Sequence, residues 1–296
     1  MNRHFYNENQ IPPSELIINE EGRIYHLDLH PSEIANDIII VGDQERVPEV
    51  SKYFDKIEIK RNKREFVTHT GTIGNKKITA LSTGIGCDNI DIVMNELDAL
   101  VNIDFETRTP KKVKTKLNII RIGSTGALQK DIPIDSFVIS KFGLGFDNLM
   151  GFYNHEPSEK ELDFLNAFLK QTNWSKDLNK PYFSEGNNQL IEKIGDGLAQ
   201  GITATASGFY GPQGRVLRLI PRINNLNEKL NLFNHQNHQI LNFEMETSAL
   251  YGLSNILGHN SCTVCAVIAN RFTNSFSKNY KKPIEKLIEL VLERIC

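Results

Sequence analysis

Short β-branched runs alternate with longer segments of helical periodicity along most of this chain, which limits the folds open to it. Four β-branched runs predict strands at residues 38–42, 77–84, 118–123 and 136–140. Apolar residues at helical spacing predict helices near residues 89–101, 158–171, 188–200, 245–257 and 282–295. Alternation of this kind indicates a parallel or mixed sheet with helices on its faces. Ligands of such sheets lie beyond the carboxyl ends of the strands.

Composition narrows the class of protein. A chain of 296 residues, 40% of them hydrophobic, suits one large α/β domain or two small ones. The net charge of −2 gives no support for binding to nucleic acid or to an anionic membrane. No apolar run is long enough to span a bilayer, and residues 1–10 lack the pattern of a signal peptide. Four cysteines in this length do not form a disulfide framework, so we expect a reduced, cytoplasmic setting.

One C-x-x-C pair, Cys262 and Cys265, lies in the run 261–268, which predicts a buried strand. Residues three apart in a strand point to opposite faces, which is poor geometry for a shared metal or a redox pair. No second cysteine pair completes a zinc site. We therefore expect both thiols to serve core packing.

Three segments differ from this alternation. Residues 1–20 are rich in Asn, Glu and Pro and predict an N-terminal arm, so the domain is expected at 21–296. The basic run 107–116 is interpreted as a solvated loop, and the polar stretch 154–188 as an insertion rather than framework. There is no internal repeat and no clear domain linker. The sequence therefore predicts one α/β domain with a central mixed sheet flanked by helices.

The segment 209–215 places a carboxamide and a guanidinium two residues apart, in a turn that Gly and Pro hold open. Gln213 can accept one hydrogen bond and donate another, whereas Arg215 can only donate. Uracil presents an N–H flanked by two carbonyl oxygens, which matches these donors and acceptors. The Phe209 ring can add a stacking or edge contact. On its own, the segment also fits an ordinary polar surface turn.

Two strand-end turns are candidates for binding an anion. Gly42 follows a strand directly, and Arg46 would lie in the first turn of a helix whose N-terminus favours negative charge. Arg121 lies inside an apolar strand pattern, and the turn 123–126 after it offers backbone N–H groups and two hydroxyls. A buried arginine needs a partner, so Arg121 either contributes to a phosphate site or pairs with an internal carboxylate.

Two acids, Glu244 and Glu246, stand at the start of a long helical pattern. Acids in this position stabilise the helix dipole, so capping is one interpretation. The other is that a carboxylate accepts two hydroxyl protons from a sugar diol. Both interpretations stay open on these residues alone.

In this order and spacing, the segments resemble the nucleoside phosphorylase family, and within it the uridine phosphorylases. The resemblance covers nearly the whole chain, from about Tyr25 to the C-terminal helix. It rests on matched motifs at residues 24–27, 42–47, 64–66, 82–86, 121–127, 209–215 and 244–246. It implies a single α/β domain whose central mixed sheet is partly barrel-like. The base loop departs from the common bacterial form at Gly211, Pro212 and Gly214, which leaves the preference for 2′-deoxy substrates open.

The resemblance implies a role for each matched residue. Phosphate would be bound by Gly42, Arg46, Arg121 and Ser124, with Arg64 reaching in from a neighbouring subunit. Ribose would be held by Met245 and Glu246, with Thr125 nearby and the neighbour's His26 at the 5′-hydroxyl. The base would be bound by Phe209, Gln213 and Arg215. Arg271 occupies the position where purine-cleaving relatives carry an Asp. The residues that would carry the chemistry are Arg121, Gln213, Arg215 and Glu246.

The implied reaction is the reversible, phosphate-dependent cleavage of uridine to uracil and ribose 1-phosphate in pyrimidine salvage. Whether deoxyuridine and thymidine are further substrates stays open. Inorganic phosphate is the co-substrate, and no metal or other cofactor is required. Some bacterial relatives bind potassium between subunits. The matching positions are Glu65, Ile85 and Asn89, and because Asn89 replaces the usual Ser, the ion is not expected. A homodimer, or a hexamer built of dimers, is expected because Arg64 and His26 would complete the partner's site.

Two other functions compete with this one. The first is a purine or broad-specificity phosphorylase, or a nucleosidase that uses water. The Arg at position 271 argues against purines, since the acid that protonates the purine ring is lost. A nucleosidase has little use for Arg46, Arg64 and Arg121 around a phosphate. The second is a non-catalytic nucleoside-binding protein. The same phosphate residues argue against it, because such a protein has no need of a phosphate site.

Overall fold

The structure is a computed structural model, and it describes residues 10–296. Residues 1–9 of the predicted arm 1–20 lie outside the described residues. The described chain divides into two compact units. Unit 1 holds the residues up to Gly84 together with Ile92–Asn118, and Unit 2 holds Ile85–Asp91 and Ile119–Cys296.

Seven α-helices lie within residues 10–296. They are α1 (Arg46–Ser51), α2 (Cys87–Asn102), α3 (Glu159–Thr172), α4 (Asn188–Gly195), α5 (Leu226–Leu232), α6 (Thr247–Leu257) and α7 (Lys281–Ile295). The five helices predicted from apolar spacing are all present. The prediction of helix to residue 200 is wrong at its end, because α4 ends at Gly195 and Gly197 takes a left-handed φ of 72°. No helix among the described residues is long and apolar enough to cross a membrane.

The strands of the described chain include all of those predicted and several that were not. They are β1 (Asp37–Val41), β2 (Lys56–Lys63), β3 (Phe66–Ile73), β4 (Lys76–Ser82), β5 (Ile103–Asp104), β6 (Thr109–Pro110), β7 (Asn118–Ala127), β8 (Phe137–Gly145), β9 (Tyr182–Glu185), β10 (Ala199–Thr205), β11 (Asn234–His235), β12 (His238–Glu244), β13 (Asn260–Asn270) and β14 (Ser275–Phe276).

Unit 1 is built on a mixed sheet in the order β1-β4-β3-β2. Strand β1 runs parallel to β4, and β4, β3 and β2 follow one another antiparallel. The two-residue turn between β2 and β3 consists of Arg64 and Glu65, and Arg64 has a left-handed φ of 55°. Helix α1 packs on β3 and β4. The sequence analysis missed the β2–β3 hairpin, whose strand β2 is rich in charged residues.

Unit 2 contains a closed ring of five strands, β7, β12, β10, β8 and β13. Strand β10 runs parallel to β8 and β12, whereas β12 pairs antiparallel with β7 and β13 antiparallel with β8. Helix α6 packs against β8, β9, β10 and β13. It comes so close that a Cβ on Gly143 would lie 2.6 Å from Cα of Ser248. The predicted α/β class, with a mixed and partly barrel-like sheet flanked by helices, is confirmed.

The stretch 154–188 is part of the framework, so the prediction of an insertion there is wrong. Phe164 and Phe168 of α3 are fully buried in the Unit 2 core, where the Phe164 ring stacks on Phe142 at 4.5 Å. Strand β9 pairs antiparallel with β8. The polar composition of the stretch reflects the exposed face of α3 and the loop before β9.

The basic run 107–116 is largely exposed, as predicted. Strand β6 pairs with the short β5, and the carboxamide of Asn102 bonds both backbone groups of Thr115. Arg108 donates to the carbonyl oxygen of Ile11 at 2.9 Å. The run is therefore an ordered surface loop that holds the segment after residue 10.

Cys262 and Cys265 lie fully buried in β13 as free thiols, so the prediction of core packing is confirmed. The Sγ atom of Cys265 also accepts a hydrogen bond from Arg121 at 3.5 Å. That contact places the thiol directly beneath a candidate functional residue, which the sequence did not indicate.

A buried carboxylate in Unit 1 makes the stability of the protein depend on pH. Glu33, 7% exposed, accepts hydrogen bonds from Arg23, from Arg61 at 2.6 Å and from the backbone N–H of His30 at 3.0 Å. Burial by itself raises the pKa of Glu33, but these donors lower it from 4.5 to about 2. Because the folded pKa is depressed, the stabilisation is present above pH 4.5 and is lost as the pH falls toward 2.

We expect Glu33→Gln to lower the free energy of unfolding by on the order of 2 kcal/mol at neutral pH. The difference from wild type should shrink as the pH falls below 4.5. Urea unfolding at pH 7, 5 and 3.5 measures it. Glu49→Gln is the matched control, since Glu49 is exposed and pairs only with Lys52 on the helix surface. A pH-independent loss in Glu33→Gln would contradict the account.

Candidate active site

The base loop, residues 209–215, has the open turn that its Gly and Pro residues predict. It follows β10 and forms a short 3₁₀ turn over Gly211–Gln213, with Pro212 early in the turn. Gly214 ends the turn with a left-handed φ of 67°, which suits glycine. The backbone N–H groups of Gln213 and Arg215 both donate to the carbonyl oxygen of Tyr210, at 3.1 and 2.8 Å.

The side chains of Gln213 and Arg215 meet on this turn. Gln213 is 3% exposed, and its Oε1 accepts a hydrogen bond from Arg215 Nη1, which also donates to the Phe209 carbonyl oxygen at 2.7 Å. The Arg215 guanidinium lies 3.6 Å above the centroid of the Phe209 ring. Within residues 10–296, Gln213 Nε2 and the Nε and Nη2 groups of Arg215 donate to no protein group. The loop therefore has donors left for a ligand.

A second arginine joins the loop from the end of β13. Arg271 Nη2 donates to the Gln213 carbonyl oxygen at 2.7 Å, and its backbone N–H donates to Ala127 at 3.0 Å. Neither Arg215 nor Arg271 forms an ion pair with a carboxylate among the described residues. Burial, followed by the charge of Arg271, lowers the pKa of Arg215 to about 10, and burial lowers the pKa of Arg271. Arg215 therefore still carries its charge at neutral pH.

Arg121 pairs with internal carboxylates, the alternative that the sequence left open. Its guanidinium contacts Glu244 at 3.2 Å and donates from Nη2 to Glu246, and all three side chains are nearly inaccessible to solvent. Arg121 Nε is buried and has no hydrogen-bond partner. Burial favours the neutral form, but Glu246 and Glu244 raise the pKa of Arg121, so it stays cationic. Burial raises the pKa of Glu244, against the opposing effect of Arg121.

The local backbone explains why Arg121 lies in this position. A Cβ on Gly123 would lie 2.3 Å from Arg121 Nη1 and 2.7 Å from the sulfur of Cys265. Only a residue without a side chain leaves room for the guanidinium to fold back along β7. Gly123 is therefore needed for the ion pairs. The prediction of a turn at 123–126 is wrong, because β7 continues through these residues to Ala127.

Glu244 and Glu246 perform different tasks. Glu244 accepts the backbone N–H groups of Glu246 and Thr247 and the Thr205 hydroxyl, so Glu244 is the acid that caps α6. Glu246 does not cap the helix with its side chain. Its carboxylate accepts the N–H of Gly86 at 2.8 Å and the Arg121 guanidinium. Glu246 is thus the acid that does not cap the helix, and Met245 before it is half-buried.

Thr125 is held by two neighbours in the sheet. It is 3% exposed, and its hydroxyl donates to the Phe243 carbonyl oxygen and accepts from Asn242 at 2.8 Å. Its predicted place near the ribose stays a prediction. The neighbouring Ser124 is half-buried.

Two predicted phosphate residues lie in Unit 1. Gly42 follows β1, and a Cβ there would come within 3.4 Å of the Gly84 carbonyl oxygen, so the loops after β1 and β4 approach closely. Arg46 is the first residue of α1, as predicted, and its backbone N–H donates to Asp43 at 3.0 Å. The side chain of Arg46 is partly exposed.

The residues predicted to act in a neighbouring subunit also lie in Unit 1. Arg64 is exposed at the tip of the β2–β3 hairpin. His26 Nδ1 lies 2.6 Å from Glu96, whose carboxylate also accepts the backbone N–H groups of His26 and Leu27. Glu96 thereby fixes the imidazole and leaves Nε2 for a ligand. Sequence reasoning missed Glu96, which lies 70 residues away with no motif to mark it.

The positions matched to a potassium site show no ring of acidic ligands. The Asn89 amide donates to the Ile85 carbonyl oxygen at 3.4 Å, and the Ile85 side chain is 68% exposed. No group of three or more His, Cys, Asp or Glu residues in the described chain is arranged to hold a metal.

Comparison with known proteins agrees with this fold. The family model of the phosphorylase superfamily matches residues 37–295. A uridine phosphorylase of Thermococcus kodakarensis is 32% identical over 265 residues, which are 86% of this chain and 80% of the relative. A DeoD-type purine nucleoside phosphorylase of Bacillus cereus is 26% identical over 250 residues, 84% of this chain and 87% of its own.

Solved structures of nucleoside phosphorylases also share this fold. The crystal structure of a Trypanosoma brucei nucleoside phosphorylase with uridine phosphorylase activity superposes with a TM-score of 0.85. The two sequences are 30% identical, and the match covers 94% of this chain and 99% of the Trypanosoma brucei chain. A uridine phosphorylase of Phytophthora capsici, 22% identical, shares the fold with a TM-score of 0.68 over 96% of this chain and 98% of its own.

The chain belongs to the phosphorylase superfamily, and the predicted resemblance to nucleoside phosphorylases is confirmed. It is a nucleoside phosphorylase, an enzyme of the pentosyltransferase class.

The buried charges predict a contrast between two arginine variants. Arg121→Met leaves Glu244 and Glu246 buried without their cation, so we expect a loss of about 3–5 kcal/mol in the free energy of unfolding without ligands. Arg215→Met, which breaks no ion pair, should cost less than about 1 kcal/mol. Urea unfolding of both proteins measures the difference. Equal losses would show that Arg121 is not the partner of the two acids.

Proposed function

We propose that this enzyme is a uridine phosphorylase. It cleaves the N-glycosidic bond of uridine with inorganic phosphate and releases uracil and ribose 1-phosphate, and it acts on deoxyuridine or thymidine as further pyrimidine substrates. The observation that carries the proposal is the base loop, where Arg215 and Arg271 converge on Gln213 with no carboxylate partner in the described chain. The relatives named as uridine phosphorylases support the same substrate.

The chemistry of the base end favours a pyrimidine. Uracil leaves with negative charge spread over its carbonyl groups and ring nitrogens. The free donors of Gln213 and Arg215 would bond to that charge as it grows, so the contacts strengthen in the transition state. A purine leaves more readily when an acid protonates its ring, and at position 271 the chain has a cation instead.

The other proposed site residues would bind the sugar and the phosphate. Glu246 would accept the 2′- and 3′-hydroxyl groups beside Met245, with His26 of a neighbouring subunit at the 5′-hydroxyl. The unpaired Arg121 Nε is a buried donor left for phosphate, and the resemblance adds Gly42, Arg46, Ser124 and a neighbour's Arg64. A phosphate dianion held there would stabilise the oxocarbenium character of the sugar as the glycosidic bond breaks. The proposed mechanism uses no metal and no covalent nucleophile.

We further propose a homo-oligomer, a dimer or a hexamer built of dimers, in the cytoplasm. The exposed Arg64 at a hairpin tip supports the oligomer, since the phosphate site would need it from a partner. All four cysteines are free thiols, which supports a reducing compartment. Pyrimidine salvage is the pathway that such a reaction serves.

Ultraviolet absorbance at alkaline pH tests the substrate. Purified protein mixed with uridine should release uracil only when phosphate is present. Release without phosphate would indicate a nucleosidase, and faster cleavage of inosine than of uridine would favour the purine enzyme. Binding of uridine without turnover would indicate a non-catalytic binder.

Variants of the base loop test its role. Gln213→Ala and Arg215→Met should each lower kcat/KM for uridine roughly a hundredfold, because each removes a donor to the leaving base. The KM for phosphate should stay close to that of wild type. Arg218→Met is the matched control, since Arg218 is an exposed arginine three residues further along the chain. Full activity in Gln213→Ala would rule out the loop as the base site.

Mixing of inactive subunits tests the shared site. A subunit with Arg64→Ala should inactivate the active site of its partner. A subunit with Gln213→Ala should inactivate its own active site. When the two variants are unfolded together and reassembled, half of the dimers are mixed, and each mixed dimer has one intact site. Activity should therefore recover to about a quarter of the wild-type value. No recovery in a mixture proven to contain mixed dimers would mean that Arg64 acts within its own subunit.

A further inference from the structure

A polar cluster that no motif revealed lies in Unit 2 around Asp147, in the loop after β8. The Asp147 carboxylate accepts the Tyr182 hydroxyl at 2.9 and 3.0 Å and the Ser248 hydroxyl at 3.0 Å. It also accepts the backbone N–H of Leu149 at 2.8 Å. The Tyr182 and Ser248 oxygens lie 3.0 Å apart, so the two hydroxyls converge on one carboxylate.

The surrounding backbone is shaped to admit this cluster. Gly145 stands opposite Tyr182 in the β8–β9 pair. A Cβ on Gly145 would lie 2.3 Å from the Tyr182 ring and 2.8 Å from the Asp147 carboxylate. Ser248 is fully buried. The Tyr182 hydroxyl stays protonated, since burial and Asp147 hold the pKa of Tyr182 well above its usual range.

Two routes lead from Asp147 to the sugar-binding segment. Ser248 lies in the first turn of α6, two residues after Glu246. On the other side, the Cys87 thiol neighbours Asp147 and donates to the Met245 carbonyl oxygen at 3.2 Å. Burial and the nearby carboxylates raise the pKa of Cys87, so it remains a donor.

The second route also reaches the carboxylate of Glu246 directly. Cys87 begins α2, and the residue before it, Gly86, donates its backbone N–H to Glu246 Oε1 at 2.8 Å. A shift of the Cys87 thiol would therefore move both the Met245 backbone and a donor to the Glu246 side chain. Asp147 therefore bonds Ser248 directly and lies beside the Cys87 thiol.

We propose that Asp147 is a positioning residue for the nucleoside's sugar. Through Ser248 and Cys87 it fixes Met245 and Glu246 in the orientation that accepts the ribose hydroxyls. The inference rests on the proposed function, because it takes Glu246 as the ribose carboxylate. The network includes neither Ser124 nor the base loop and reaches Arg121 only through Glu246, so its loss should weaken binding of the sugar more than binding of phosphate.

Steady-state kinetics of Asp147→Asn and Tyr182→Phe test the proposal. Asp147→Asn should raise the KM for uridine about tenfold, because a misplaced Glu246 holds the sugar poorly, and Tyr182→Phe should raise it several-fold. The KM for phosphate should stay within about twofold of wild type. The preference for uridine over 2′-deoxyuridine should also fall, since Glu246 accepts the 2′-hydroxyl.

Tyr251→Phe is the matched control. Tyr251 lies on α6, is fully buried, donates to the Ser140 carbonyl oxygen at 2.8 Å and accepts from Thr263 at 2.8 Å. Its loss should lower the unfolding midpoint and leave both KM values unchanged. A uridine KM that stays at the wild-type value in Asp147→Asn and Tyr182→Phe, or that rises no more than in Tyr251→Phe, overturns the proposal.

A second variant keeps the test decisive if Asp147→Asn does not fold. Cys87→Ala retains Asp147 and removes the donor to Met245, so it should raise the nucleoside KM alone. An equal rise in both KM values would overturn the positioning role. If wild type cleaves inosine instead of uridine, the proposed function fails, but the same comparison with inosine still decides the role of Asp147.

Discussion

The ion pairs of Arg121 with Glu244 and Glu246 are the interaction on which the rest of the site depends. Three charged side chains lie in a nearly dry interior, where none of them is tolerable without the others. The arrangement fixes α6 through Glu244 and holds the Glu246 carboxylate. Arg121 Nε is a buried donor without a partner. In the proposed reaction, where Glu246 binds the sugar and Arg121 the phosphate, stability and catalysis would share the same three residues.

At the base loop, in contrast, the half-buried cations have no carboxylate partners in the described chain. Arg215 and Arg271 keep their charges without an acid to neutralise them, and burial makes that arrangement unfavourable in the free enzyme. An anion at the loop would relieve the electrostatic repulsion between the two cations. In the proposed reaction the leaving uracil is such an anion, so repulsion in the resting enzyme would become stabilisation of the transition state. A neutral or acidic residue in place of Arg271 would remove the repulsion between the two cations, and with it this stabilisation of the transition state.

Most of the helices and strands could be predicted from the sequence, because β-branched runs alternate with segments of helical periodicity. The motifs at Gly42, Arg121, Gln213 and Glu246 could be identified because each is local in the sequence. The failures involve contacts that are distant along the chain. Glu96 and Asp147 act on residues far from them, and no periodicity marks such pairs. The stretch 154–188 looked like an insertion since its polar surface hid the buried phenylalanines of α3.

The most direct test is a crystal structure of the enzyme with phosphate and a non-cleavable uridine analogue. The account predicts Gln213 Nε2 and the free N–H groups of Arg215 at hydrogen-bond distance from the base carbonyl oxygens, with Glu246 on the sugar diol. A base loop that points away from the pyrimidine, or Glu246 with no contact to the sugar, would contradict it.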